Sequence, residues 1–499
     1  MRWRAFITIL TAAALAVLGG CSAPNVPRAE ENARFKTYLI DLAKQVNIDP
    51  ARPLTMGQCE NLALANSLNL SVQNLTYRLQ DDKVALSLVT GLPNFSLNYN
   101  EQERSNPNRV LTPTGTGSSV ATTINNQYTR NLAVQAVLPV LDFGLTYYSY
   151  RMAVDGKKQE YLTIQRAEQL LRRDVRIAYT RHAGAIRQRQ LADIAYQAAE
   201  QVLKSARSLE REQLSVPADT AQVEAAVAQA GLDLAQAKNS VRQTHLVLSQ
   251  LMSLPPEVDF SIISDLPPLP SQPTEQDVKG WEERSLVARP ELYVQDLERQ
   301  IAASDVRRQA SEFFPHLDLT ASFNWSNLLG AVNPAFFLGG FQVTHSLLDS
   351  TASIWRYQMA QRETDVQKAQ SLLVMLGVLY EVDFSALQVA NAYETVQAAQ
   401  VLDRSRRAAL NRVISLYREG IESESGAARA LADLTTQATL LDQSETEYFV
   451  AWHQLEAAVL PEEPLTQPAT QPASQPTSQA TSQAASQPTS LPVLQGVLP

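Results

Sequence analysis

The stretch FFPHLDLTASFNW, residues 313–325, decides the fold because it alternates in a chain otherwise patterned for long helices. From His316 onward, His316, Asp318, Thr320, Ser322 and Asn324 share one side, and Leu317, Leu319, Ala321, Phe323 and Trp325 share the other. That is a strand with one wet and one greasy face. Working outward, Phe95–Asn100, Asn131–Val140 and Phe337–Leu347 alternate in the same way. Leu132, Val134, Ala136, Leu138 and Val140 share a face, and Phe341 and Val343 oppose Gln342 and Thr344. Strands of about ten residues, oily outside and polar inside, are the material of an outer-membrane barrel. Four are too few to close one, and an open sheet edge is not tolerated in hydrocarbon. The missing edges must come from further copies of the chain. Two copies give eight strands and a filled barrel, whereas three give twelve and a lumen. A small sheet packed on the helices is the alternative, and it leaves the wet faces of the first and third strands without work.

The strands sit inside an internal duplication. LALANSLNLSVQNL (62–75) aligns with RSLVARPELYVQDL (284–297), and the same spacing of 222 residues places Pro93 on Pro315. Past the strands the spacing becomes 207: Asp142 falls on Asp349, Tyr150 on Tyr357, Met152 on Met359, and Glu210-Arg211-Glu212 on Tyr417-Arg418-Glu419. The length difference therefore sits between the first and second strand of each copy, where an exposed loop accepts it. Each copy reads as helix, strand, loop, strand, very long helix, turn, helix. Repeat one spans 55–252 and repeat two 276–460, with the proline-rich 253–275 between them as a crossing that is not helical throughout. The stretch 145–213 lacks proline, and as one helix it runs roughly 100 Å. In the helix after it, Val223, Val227, Ala230, Leu234, Ala237, Val241, Thr244, Leu248 and Leu251 form a heptad seam. The seam continues in copy two as Leu434, Gln437, Leu441, Ser444, Tyr448, Ala451, Leu455 and Ala458, so the two hairpins are expected to pack alike.

The ends differ in kind. Residues 1–20 have the basic start and short apolar run of a signal peptide. Leu18-Gly19-Gly20-Cys21 resembles the lipobox of bacterial lipoproteins. That resemblance implies cleavage before Cys21 and its acylation, with palmitate among the chains, which suffices for stable anchoring. Ser22, in place of the aspartate that retains such proteins in the inner membrane, implies the outer membrane. Residues 21–54 are then a lipidated N-terminal segment, and 461–499 a disordered Gln/Pro/Ser/Thr/Ala-rich tail.

Composition narrows the function. A net charge of −9 disfavours a nucleic-acid partner. The five histidines, His182, His245, His316, His345 and His453, have no ligand spacing and read as core or surface imidazoles. Cys59 reads as a small buried residue, and the two cysteines are too few for a disulfide framework. No Ser/His/Asp set, metal constellation, phosphate loop or paired-carboxylate motif stands out, so neither an enzyme nor a cofactor is expected.

The duplication, ARPEL at 288–292, the strand-opening Pro93 and Pro315, VLPVLDFG at 137–144 with its partner VTHSLLDS, and YREG at 417–420 together resemble the TolC-like outer membrane efflux proteins. The resemblance covers nearly all of residues 55–460. It implies a mainly helical chain with membrane β, assembled as a homotrimer whose twelve strands form one barrel above a periplasmic helical tunnel. It implies an exit duct of a tripartite efflux pump, passively passing small molecules from a periplasmic membrane-fusion adaptor. The adaptor in turn is loaded by an inner-membrane transporter of the resistance-nodulation-division or ATP-binding type. Type I protein secretion and a non-channel coiled-coil scaffold are the alternatives. The family's tip gate maps onto 209–222 and 416–429, with Asp219 and Tyr417 matching its closing network. Glu422 replaces the family's basic partner, and Gly426 and Arg429 stand where pore-narrowing aspartates occur, leaving Glu419, Glu422 and Glu424 to supply an acidic ring.

Overall fold

The computed structural model describes residues 28–46, 52–103, 105–106, 108–114, 118–125, 128–142, 144–212, 217–327, 333–345, 349–419, 421 and 424–459. An exposed helix α1 (Arg28–Val46) precedes the first repeat, which runs α2 (Met56–Asn66), α3 (Leu68–Val89), β1 (Asn94–Glu103), β2 (Asn108–Thr114), β3 (Ser118–Asn125), β4 (Tyr128–Leu141), α4 (Leu145–Arg211) and α5 (Pro217–Leu251). The second runs α6 (Glu275–Ala288), α7 (Pro290–Ser311), β5 (His316–Ser326), β6 (Ala335–Thr344), α8 (Asp349–Arg418) and α9 (Glu424–Val459).

The duplication is carried to single residues. Moving α3, which ends at Val89, and β1, which starts at Asn94, by 222 lands on the end of α7 at Ser311 and the start of β5 at His316. Moving the end of α4 at Arg211 and the start of α5 at Pro217 by 207 lands on Arg418 and Glu424. The helix expected across 62–75 and 284–297 is broken at matching places, Ser67 and Arg289. At the first break the Ser67 hydroxyl accepts from Leu70 N, 3.3 Å away, and caps α3. At the second, Pro290 opens α7 at the position where its missing N–H costs nothing.

All four long strands join one antiparallel sheet in the order β1-β4-β5-β6. β2 and β3 form a separate two-stranded hairpin inside the extra length of repeat one, which was expected to be loop. The fourth strand, expected over Phe337–Leu347, runs Ala335–Thr344, because pairing with β5 sets its ends at Trp325↔Ala335 and His316↔Thr344; residues 346–348 lie outside the described residues.

Below the sheet the helices adjoin in the order α3, α4, α7, α8, the order of the strands to which they connect. The β4-to-α4 turn shows how the chain changes direction. Gly144 adopts φ 94°, and the Asp142 carboxylate accepts from Gly144 N at 3.0 Å and Thr146 N at 2.8 Å. Burial opposes ionisation of Asp142, but the bonds from Thr146 and Gly144 outweigh it and hold the carboxyl below the usual range.

Two cores lie lower in the helical body. Cys59, Ala63, Val175, Tyr179, Leu248, Phe260 and Ile262 join α2, α4, α5 and the crossing segment. Val382, Val389, Tyr448 and Leu455 join α8 to α9, with Trp281 of α6 against them. The crossing segment is pinned by side chains donating to its carbonyls: Tyr179 to Ile263 (3.1 Å), Arg187 to Ser264 (2.5 Å) and Tyr448 to Pro270 (2.8 Å). The α5 seam is buried or half-buried at every heptad position. The hairpins nevertheless do not pack alike. α5 lies against α4, whereas α9 is wedged between α8 and α4, so close that a Cβ on Gly184 would stand 2.6 Å from Thr446 Oγ1. A heptad sets which face is buried and not how many neighbours bury it.

Candidate functional site

The four-stranded sheet is a wall with two chemically different faces. The register puts Leu97, Val134, Phe323 and Phe337 in one row across the four strands. Tyr99, Leu132, Trp325 and Ala335 form the next row of the same face, and Leu138, Leu319 and Phe341 a third. Phe337 is 84% exposed, Phe341 77% and Phe95 73%. Aromatic rings held out in this way need an apolar medium. From Val140 to Leu132 this face runs about 27 Å along the strand. Beyond it Tyr99 and Tyr128 donate to Glu101 and Glu103 at 3.0 and 2.9 Å, and Arg130 donates to Glu101 at 3.0 Å. At the helical end Tyr147, Phe314 and Trp355 are exposed. Aromatic girdles with charges beyond them mark the two interfaces of a membrane band.

The opposite face carries Ser96, Gln135 and Ser322 in one row and Asn98, Ala133 and Asn324 in the next. It is interrupted only on β6 among these rows, where Leu338 and Phe336 stand opposite Ser322 and Asn324. The alternation of Phe341 and Val343 with Gln342 and Thr344 covers only the other end of β6, so those four residues do not reveal the interruption.

Among the described residues both sheet edges, β1 and β6, are unpaired, and α3 and α8 beside them each have a neighbouring helix on the inner side and an uncovered outer side. On α3, Leu68, Val72, Leu75, Leu79 and Leu86 are exposed in heptad spacing. On α8, Trp355, Met359, Val366, Leu373, Leu376, Tyr380, Phe384 and Leu387 are exposed. The same helix is long and apolar enough by composition to cross a membrane, yet most of its apolar stretch lies bare in the single chain. As it continues directly below the sheet and packs on α9, this surface fits another helix and not lipid.

Between the repeats the seam holds a charge network. Arg289 is fully buried, with Nη2 2.6 Å from Glu381 and Nε 3.2 Å from Glu291; Arg166 stands 3.1 Å from Glu291 and donates to the Ala457 carbonyl. Arg176 joins Glu60 (2.8 Å) to Glu456 (3.1 Å), and Arg187 pairs with Asp442. The histidines follow the expectation of core imidazoles in part. His182 is buried 5.6 Å from His245, which stacks on Phe260, and burial followed by the His245 charge lowers its pKa to about 4. Cys59 is buried, and its thiol is pushed up to about 12 by burial and then by Glu60. No group of metal-holding side chains occurs among the described residues.

The expected tip residues are only partly placed. Asp219 lies in the first turn of α5 and Tyr417 in the last of α8, with their side chains outside the described set. Glu419 is an exposed turn residue whose N–H closes on the Ser415 carbonyl at 3.1 Å. Glu424 opens α9 with its side chain undescribed, and Cys21 and Glu422 lie outside the described residues. Near the tips each hairpin is laced once, Arg207 to Glu224 at 2.8 Å and Arg406 to Asp433 at 2.9 Å.

Residues 281–459 match the family model described as outer membrane efflux protein. No curated protein matches the chain in sequence. Among solved structures it is similar to the Campylobacter jejuni CmeC outer membrane channel, at 14% identity over 81% of this chain and 85% of that one, with a TM-score of 0.68. It is similar to the outer membrane protein VceC of Vibrio cholerae (13%, 81% and 95%, TM-score 0.67). The open state of the Neisseria gonorrhoeae MtrE outer membrane channel is a third (16%, 81% and 88%, TM-score 0.65). The second repeat thus matches the sequence pattern of outer membrane efflux proteins, and the chain as a whole has the fold of these solved outer membrane channels.

Proposed function

We propose that three copies of the chain join head to tail, β6 and α8 of one against β1 and α3 of the next, to make a passive exit duct through the outer membrane. The observation that carries this is the sheet: greasy on one face, wet on the other, open at both edges, and continued below by helices in the same order. A closed ring removes every unpaired edge from hydrocarbon, and twelve strands leave a lumen where eight do not. The helical body then extends the lumen into the periplasm, where an adaptor docks at the tips and an inner-membrane transporter of the resistance-nodulation-division or ATP-binding type loads it. The duct moves small molecules and makes or breaks no bond. Acyl chains on Cys21 hold it to the inner leaflet, and the tips carrying Asp219, Tyr417, Glu419, Glu422 and Glu424 form the gate, with the glutamates concentrating charge around the axis.

Purified protein in planar bilayers is expected to give discrete ion-conducting steps, and native mass is expected to correspond to three chains. A monomer without conductance overturns the reading. Removing charge with Glu422→Gln and Glu424→Gln is expected to weaken the salt dependence of the conductance. An unchanged dependence removes the acidic ring and leaves the duct.

A further inference from the structure

The duplication allows the joint between copies to be read from a joint inside one chain. Its accuracy can be checked on the hairpins. Asn94↔Val137 and Glu103↔Tyr128 in repeat one become His316↔Thr344 and Trp325↔Ala335 when carried forward by 222 and 207, and both are observed pairs. The seam between repeats, β4 on β5 and α4 on α7, has the same relation to the open joint, β6 on the next copy's β1 and α8 on its α3. Ala136 faces Ala321 in the seam. Their counterparts are Val343 and, on the neighbouring copy, Tyr99. Gln159 donates to Glu298 at 2.9 Å across the helical part of the seam, and the counterparts there are Val366 and Thr76.

In the part nearest the sheet, each bare stripe also has a charged residue at one of its heptad positions, apart from the charges on the flanking faces. Asp82 lies between Leu79 and Leu86 on α3, and Arg362 lies between Met359 and Val366 on α8. Both are exposed, and neither forms an ion pair among the described residues. Their seam counterparts, Ser304 and Asp155, are 4% and 3% exposed. Asp155 is four residues from Gln159, and Ser304 six from Glu298, so the two stand within about 3 Å of one level along the helices. The positions of Asp82 and Arg362 are therefore ones that assembly buries, side by side, with opposite charges.

We propose that copies join in the register of the internal seam, with Val343 opposite Tyr99 and Arg362 paired to Asp82 of the neighbouring copy. The pair rests on the ring reading above and adds its specificity. An unpaired charge of either sign in that stripe is costly once desolvated, so only the one register that matches Arg362 to Asp82 closes the ring. The partner is a second copy of this chain.

The test uses the full chain in detergent and has two arms. With Tyr99→Cys and Val343→Cys together, oxidation is expected to link neighbours into a covalent ring, whereas Leu97→Cys or Glu101→Cys combined with Val343→Cys is not. Reversing one charge, Asp82→Arg or Arg362→Asp, is expected to lower the ring-to-monomer ratio roughly tenfold or more, and the double reversal to restore it. A wild-type monomer overturns the ring and this register together. A trimer that cross-links through Leu97 or Glu101 overturns the register alone. Losses in the single reversals that add in the double, in rings that still cross-link through Tyr99, remove the ion pair.

Discussion

α4 and α8 are the same helix written twice, and the chain treats them differently. They differ in length by three residues, 67 against 70, and end at matching positions, yet α4 is flanked by α3, α7, α5 and α9 while α8 keeps one long side bare. Where α4 has Arg166, Arg173 and Thr180, α8 has Leu373, Tyr380 and Leu387 exposed. Burial inside the chain has admitted polar side chains there, and Arg166 finds a partner in Glu291. The outer twin has apolar ones that stay bare within the single chain. Which repeat sits in the middle, and not the repeat itself, decides what each face must be made of.

The contrast between seam and edge is open to direct attack. The largest effect is expected at Arg289, a fully buried side chain whose loss opens a cavity and leaves Glu381 and Glu291 with Arg166 alone of their two arginines. Arg289→Ala is expected to lower folding stability by about 3–5 kcal/mol in denaturant titration. Next comes the membrane wall, where the two faces should disagree. Phe341→Arg is expected to cost about 2–4 kcal/mol per chain in bilayer insertion, and Gln342→Arg on the wet face far less; equal losses would erase the distinction between faces.

A third probe compares the two cores. His182 and its counterpart Val389 are both buried, one an imidazole and the other a hydrocarbon. The folded pKa of His182, about 4, lies below its ordinary 6.5, so the unfolded chain takes up the proton first. Stability is full above pH 6.5, falls as pH drops toward 4, and changes no further below it through this group. The loss is up to about 3 kcal/mol, and thermal melts of His182→Val are expected to lack it. The smallest effect is at the edge twin of Arg289. Ser67→Ala removes a cap at the same break and is expected to cost about 1 kcal/mol.

Much of this was legible in the residues. Period-two alternation located the four wall strands to within a few positions, and the duplication carries the ends of α3 and α4 and the starts of β1 and α5 onto those of α7, α8, β5 and α9, while α4 and α8 begin three residues out of step. The break at Ser67 was hidden, since no proline marks it and only the serine's hydrogen bond to Leu70 N creates it. The β2–β3 hairpin was hidden because Asn108–Asn125 mixes polar and apolar residues on both faces and carries Pro113. α1 was not foreseen within 21–54. The exposed stripe on α8 looked like any heptad, because periodicity gives a face its direction while only packing says whether it is already covered. The tip glutamates read as site residues solely through resemblance, and only Glu419 among them has a described side-chain environment.

Among the described residues the hairpin occurs in repeat one only. If three chains close into the proposed ring, a rim built from them would alternate between long hairpins and short turns. Anything arriving at that crown would find three identical grips spaced a third of a revolution apart, although the shaft beneath repeats itself six times.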